Sequence, residues 1–132
     1  MKKIKTLINF WFPPILWMAA IFYFSSRDRF EIAGENLTDF VIFKALHMIE
    51  YGFLYYLLLR AFYRNRISQL SYTTCMKYAF VVAFFYGVID EIHQATVPTR
   101  EGKIRDILID TLGIFLVYLY SKYKTSFVAY LS

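Results

Sequence analysis

The chain of 132 residues has one cysteine, three prolines and five glycines, and only 19% of its residues are charged. A lone Cys75 cannot form an intrachain disulfide, so a disulfide scaffold is excluded. With so little glycine and proline there is no low-complexity or linker-like segment. No internal repeat is evident either, so a single domain over residues 1–132 is expected. Signatures of common chemistry are missing too. There is no Gly-rich phosphate loop, no His-Glu-x-x-His helix and no serine elbow.

Apolar residues are abundant, at 58% hydrophobic and 21% aromatic, with 14 Phe, 12 Tyr and 2 Trp. That composition rules out disorder. It also argues against a soluble globule, because a domain this small has little interior in which to bury such bulk. A bilayer removes the constraint. The net charge of +5 would suit nucleic acid. The basic residues instead form short clusters between apolar stretches, the pattern of membrane-flanking loops, and no nucleic-acid partner is expected.

Four apolar stretches follow one another: about Leu7 to Phe24, Phe40 to Phe62, Thr74 to Ile92, and Ile104 to Tyr120. The first, at 1.5 Å per residue, is roughly 27 Å long, close to the thickness of a hydrocarbon core. Pro13 and Pro14 predict a kink or a fresh helix start within it. Lys2, Lys3 and Lys5 ahead of it raise a signal peptide, but no clear small-residue cleavage site follows and three more stretches do. None of the four alternates polar and apolar residues as a membrane strand would. The expected fold is therefore all-α, a polytopic membrane protein built as a bundle of four transmembrane helices.

Lys and Arg in the loops set the orientation. With the N-terminus inside, one side holds Lys2, Lys3, Lys5, Arg60, Arg64, Arg66, Lys122 and Lys124, and the other holds Arg27, Arg29, Arg100, Lys103 and Arg105. The bias favours both termini in the cytoplasm of a multi-pass protein in the cell membrane. The charged first half of the second stretch, the end of the third and the start of the fourth then meet near the outer face.

Charged groups inside spanning helices are costly and usually face the bundle interior. At 100° per residue, Lys44, His47 and Tyr51 fall within about 60° of one another, with Glu50 about 60° from His47. Asp90, Glu91 and Gln94 occupy about 100° of the third helix, and Asp106, Asp110 and Gly113 form a stripe about 60° wide on the fourth. Gly113 on that stripe would admit another helix close to the carboxylates. The economical packing turns the three polar faces together. Such a cluster has to be paired, protonated or metal-bound, because unpaired buried charges cost several kcal/mol each.

Each group also has an ordinary explanation. His47 and Glu50 form an i,i+3 pair, and Asp106 suits the dipole at a helix start. Lys44 and Arg105 are long enough to snorkel, and Arg100 suits a solvated loop. Tyr55, Tyr56, Phe84 and Phe85 read as lipid-facing bulk, and Cys75 as inert. Glu91, His93 and Asp106 are of the right types for a divalent cation, but their spacing is not diagnostic, and no metal site is assigned. Ser25 or Ser26 with His47 and Asp110 would make a nucleophilic triad, a reading with little support. What favours function is the coincidence of costly groups at one depth on three helices.

These residues resemble the VanZ-like family of small bacterial membrane proteins. Phe24-Ser25-Ser26 is similar to its aromatic-Ser-Ser motif. Lys44-Ala-Leu-His47 with Tyr51 is similar to its Lys-x-x-His-x-x-x-Tyr segment, and Asp90-Glu91-Ile-His93-Gln94 to its acidic core. Pro98-Thr-Arg100-Glu-Gly102 and Asp106-x-x-x-Asp110-Thr-x-Gly113 resemble its Pro-x-Arg turn and following helix. The resemblance runs from about Trp17 to Tyr120. One departure is Phe43, where many relatives carry Asp before the lysine; Asp39 stands one turn earlier. The resemblance implies a role in the bacterial cell envelope and a link to reduced susceptibility to glycopeptide antibiotics such as teicoplanin.

Two functions are compatible with the residues. In the first, Lys44, His47, Glu91, Gln94, Arg100, Asp106 and Asp110 form a ligand-binding site. It would bind or modify an anionic membrane lipid or a lipid-linked cell-wall precursor, with Arg100, Lys103 and Arg105 meeting the phosphate. Such binding would lower the hold of a lipid-anchored lipoglycopeptide. In the second, the protein is an intramembrane enzyme acting on a lipid-linked phosphate, with His47 and Glu91 as catalytic acid and base. A proton-linked transporter would need an oligomer, since four short helices leave little room for a pathway. The cofactor, if any, is not specified by these residues.

Overall fold

The computed structural model describes residues 2–27, 36–64, 70–98, 102–124 and 127. They form four helices: α1 Lys2–Ser25, α2 Asn36–Arg64, α3 Tyr72–Gln94 and α4 Ile104–Tyr123. Among the described residues there is no strand. Each helix contains one of the expected apolar stretches and extends a few residues beyond it. α1 continues through Pro13 and Pro14 without a second helix starting there. Apolar helices tolerate proline when neighbouring elements hold the segment. Here Trp17 Nε1 donates to the Glu50 carbonyl at 3.0 Å and Tyr86 Oη donates to the Met18 carbonyl at 2.5 Å, tying α1 to α2 and α3.

The first turn of α3 is fixed locally. Ser71 takes an extended backbone at the N-cap, and its Oγ accepts from the Thr74 amide at 3.2 Å. α2 is the central element: it packs most extensively against α4, then α3 and α1, and among the described residues α1 and α4 do not meet.

α3 buries Cys75, Met76, Ala79, Ala83, Gly87, Asp90, Glu91 and Gln94 at helical spacing. This small-residue stripe lets it lie close to Tyr51, Leu54, Tyr55 and Leu58 of α2. Two glycines set the α2–α4 crossing. A Cβ on Gly52 would meet Val117 Cγ2 at 3.0 Å and the Gly113 carbonyl at 3.2 Å, and one on Gly113 would strike the Met48 backbone. The close approach read from Gly113 is present, and Gly52 is its unforeseen counterpart.

The interior is mixed, an apolar core adjoining a set of buried polar groups. The interior holds Lys44, Asp90, Glu91, Gln94, Asp106 and Asp110. The outside carries Phe85, Ile89 and Ile92 of α3, Leu108, Leu112, Phe115 and Leu116 of α4, and Ile8, Phe12, Ile15 and Leu16 of α1. By length and composition, Ile8–Ser25 and Leu37–Arg64 suffice to cross a membrane. α3 and α4 are not among the candidate spans, so of the expected four spans two meet that test. The aromatic excess is not all peripheral, either. Tyr55 lies fully buried, its hydroxyl 3.1 Å from Ser121 Oγ, because an inward tyrosine needs a polar partner and α4 supplies one.

Candidate functional site

The polar residues gather where α1 and α3 end and α4 begins. At their centre is Asp90, 1% exposed, which accepts three hydrogen bonds. Ser25 Oγ at the end of α1 donates to Oδ1 at 2.5 Å. Tyr51 Oη of α2 and Gln94 Nε2, one turn along α3, donate to Oδ2 at 3.1 Å and 2.7 Å. One carboxyl thus collects a donor from each of three helices, which offsets its removal from water.

Beside it, Lys44 Nζ lies 2.7 Å from Asp106 Oδ2, with side chains 9% and 4% exposed. Lys44 therefore does not snorkel. Its ammonium turns inward because α4 presents a carboxyl in its first turn, where the helix dipole also favours negative charge. Arg105 behaves as a rim residue: its side chain is 57% exposed and its Nε is 3.6 Å from Asp106 Oδ1. Both cations rest against Phe40, Arg105 at 4.7 Å and Lys44 at 5.6 Å from the ring centre. Asp39, one turn before Phe43, is buried, and the ion pair described for Lys44 is with α4.

Glu91 reaches the turn between α3 and α4, where its Oε2 accepts from the Lys103 amide at 3.2 Å. The turn can fold down on α3 because residue 102 is glycine; a Cβ there would strike the Glu91 carbonyl. His47 Nδ1 lies 3.5 Å from Glu50 Oε2 and 3.9 Å from Asp110 Oδ1. Asp110 is 2% exposed and within electrostatic range of Glu91, Asp90, Lys44 and Asp106. Its Oδ2 and the Oδ1 of Asp106 accept no hydrogen bond from the described residues.

Of the residues singled out in the sequence, Lys44, His47, Glu91, Gln94, Asp106 and Asp110 all belong to this cluster. Arg100 lies outside the described residues. The sequence reading left Asp90, Ser25 and Tyr51 out of the site. Each carried a signal: Asp90 shares the polar arc of α3, Tyr51 the Lys44–His47 face, and Ser25 the aromatic-Ser-Ser motif. Their convergence on one carboxyl is a pairing between helices that no single-helix periodicity contains.

His93 goes elsewhere. Its Nε2 is 2.8 Å from Ser26 Oγ and its ring stacks on Phe22 at 4.3 Å, so it does not join Glu91 and Asp106. Among the described residues no three His, Cys, Asp or Glu are arranged to hold a metal ion. Nor do Ser25, His47 and Asp110 form a triad, since Ser25 donates to Asp90. The arrangement sets hydrogen-bond-accepting carboxyl oxygens in its interior and positive charge on its exposed rim.

No curated protein and no solved structure matches the chain. Its residues 10–125 match the family model described as VanZ/LLP1, most of the sequence and every element of the cluster, and the chain belongs to that family.

Proposed function

We propose that this is a multi-pass protein of the bacterial cell membrane that binds the phosphate of an anionic lipid or lipid-linked cell-wall component at its outer face. All four helices cross the bilayer in this reading, and both termini are cytoplasmic. Support comes from the apolar side chains exposed on every helix while the charged groups Lys44, Asp90, Glu91, Asp106 and Asp110 are buried, the arrangement hydrocarbon selects.

The observation that carries the binding reading is at the start of α4. Lys103 and Arg105 are exposed there, over the buried acids Glu91 and Asp106 that contact Lys103's amide and Arg105's guanidinium. A helix N-terminus flanked by two cations is suited to a phosphate oxygen, through backbone N–H groups, dipole and charge together. Arg100 would add a third cation. By occupying outer-leaflet phosphates, the protein lowers susceptibility to lipid-anchored glycopeptides such as teicoplanin.

The test uses full-length protein in nanodiscs. Lys103→Ala with Arg105→Ala, and separately Arg100→Ala, should reduce salt-sensitive retention of phospholipid and restore teicoplanin susceptibility in a host expressing the protein. Unchanged retention and susceptibility at equal expression overturn the reading.

An intramembrane enzyme acting on a lipid-linked phosphate is the second reading. It is favoured by the imidazole of His47 standing between two carboxyls, Glu50 and Asp110. It requires turnover of polyprenyl phosphate or pyrophosphate that His47→Ala or Glu91→Gln abolishes. Absence of product with Mg²⁺, Mn²⁺ or Zn²⁺ and without them counts against it.

A further inference from the structure

The acids inside the cluster are not evenly served. Asp90 has three neutral donors, Glu91 the Lys103 amide, and Asp106 the Lys44 ammonium with Arg105 nearby. Among the described residues the one cationic or titratable nitrogen within 4 Å of Asp110 is that of His47, at 3.9 Å, and its Oδ2 accepts no hydrogen bond from them although its side chain is 3% exposed. A buried carboxyl oxygen without a donor forfeits a hydrogen bond that water would give it. The four buried carboxyls of the cluster also share one buried ammonium among the described residues, that of Lys44. A donor that also carries positive charge would answer both deficits.

The position of Asp110 relative to the basic rim specifies the kind of molecule. It sits one helical turn, about 6 Å, along α4 from Asp106, the acid whose Oδ1 lies 3.6 Å from the rim residue Arg105. His47 and Glu50 beside it are partly exposed, at 15% and 29% of their side chains, so the cluster is not sealed on this flank. A headgroup whose phosphate rests on the rim would have to extend only a short arm, past His47, to reach Asp110.

We propose that the phosphate-bearing component recognised by this protein carries a primary ammonium, and that the ammonium seats on the Asp110 carboxylate beside His47. The inference rests on the phosphate reading above and narrows its headgroup. Its N–H bonds supply the donor that Asp110 lacks, and its charge balances the acids. A quaternary ammonium supplies the charge without a donor, and a hydroxyl supplies the donor without the charge.

The experiment measures lipid retained by wild-type protein in mixed nanodiscs offered phosphatidylethanolamine, phosphatidylcholine or phosphatidylglycerol. Rim cations alone favour phosphatidylglycerol, which is net negative. The proposal expects phosphatidylethanolamine to exceed both others by about tenfold, the ratio one charge-assisted hydrogen bond produces. Asp110→Asn should bring phosphatidylethanolamine down to the level of phosphatidylcholine. Equal retention of phosphatidylethanolamine and phosphatidylcholine by the wild type, or a preference that survives in a folded Asp110→Asn variant, overturns it. Should that variant fail to fold, the wild-type comparison decides alone. If Lys103→Ala with Arg105→Ala weakens all three lipids equally while the wild type has no ammonium preference, the phosphate reading stands and this inference falls. If those substitutions change nothing, both fall.

Discussion

Lys44 and Asp106 carry the sharpest energetic consequence at the scale of single residues. Both are buried and their charged atoms are 2.7 Å apart. Removing one leaves an uncompensated charge, which costs about 3–5 kcal/mol, whereas replacing both with apolar residues of similar volume is often near neutral. Lys44→Met should therefore lower stability severely, and adding Asp106→Leu should recover most of the loss. Denaturation of the detergent-solubilised protein checks this; a double variant as unstable as the single one refutes the pairing. Tyr51→Phe is a milder probe. It deletes one of three donors to Asp90 and should cost about 1.5–3 kcal/mol, the range for hydrogen bonds to charged groups. Ser25→Ala removes the bond from α1 and should cost a comparable amount while loosening α1 in particular, measurable as faster proteolysis of that segment. Residue types and helical spacing made Lys44, His47, Asp106 and Asp110 legible as a polar set. The exchange of partners was not legible: Ser25 goes to Asp90, and His93 goes to Ser26 and Phe22.

At the scale of elements, the contact of α2 with α4 depends on missing side chains. Two effects of a Gly→Ala change compete. Alanine favours a helix by about 0.8–1 kcal/mol, and overpacking costs about 1–3 kcal/mol. At Gly113 the new methyl would meet the Met48 backbone, which cannot rotate away, so overpacking wins and Gly113→Ala should destabilise. At Gly87 the nearest atom is the Tyr51 ring at 3.3 Å, a side chain able to yield by a few tenths of an ångström, so Gly87→Ala should be close to neutral. Gly52→Ala, facing Val117 Cγ2 at 3.0 Å and a carbonyl at 3.2 Å, should fall between them. Melting temperatures of the three variants in detergent test the order. Gly113→Ala at or above wild-type stability would mean the helices do not approach this closely. Gly113 stood out in the sequence because it shares the stripe of Asp106 and Asp110. Gly52 did not, because its importance comes from the helix opposite.

At the scale of the whole molecule, the question is how a chain with ionisable residues on three helices sits in a bilayer. α1 and α2 pass a test of length and apolarity, while α3 and α4 combine exposed apolar faces with buried acids. A helix of that kind looks too polar when its residues are averaged, yet in the proposed four-span arrangement hydrocarbon would meet only the outward face. The four-span reading therefore makes a topological prediction. With Cys75 replaced by serine, cysteines introduced at Ser26 and Thr96 should react with a membrane-impermeant maleimide on intact cells. Cysteines at Arg64 and Lys124 should react only after permeabilisation. Labelling of Thr96 and Lys124 from the same side would refute an odd number of crossings between them.

Composition by itself determined that this chain is helical and apolar on its outside. The reason is that so many aromatic and aliphatic side chains exceed the interior a small domain can offer, and that they fall in four stretches of spanning-helix length without the alternation of a membrane strand. It also determined which polar residues would avoid that outside, since isolated charges in hydrocarbon cost too much to be scattered. Only the tertiary structure decided who pairs with whom: Asp90 with Ser25, Tyr51 and Gln94, Lys44 with Asp106, and Asp110 left to His47. Those choices depend on how far two helices approach and how they are rotated. Both are set by contacts such as Gly113 against Met48, between residues far apart in the chain.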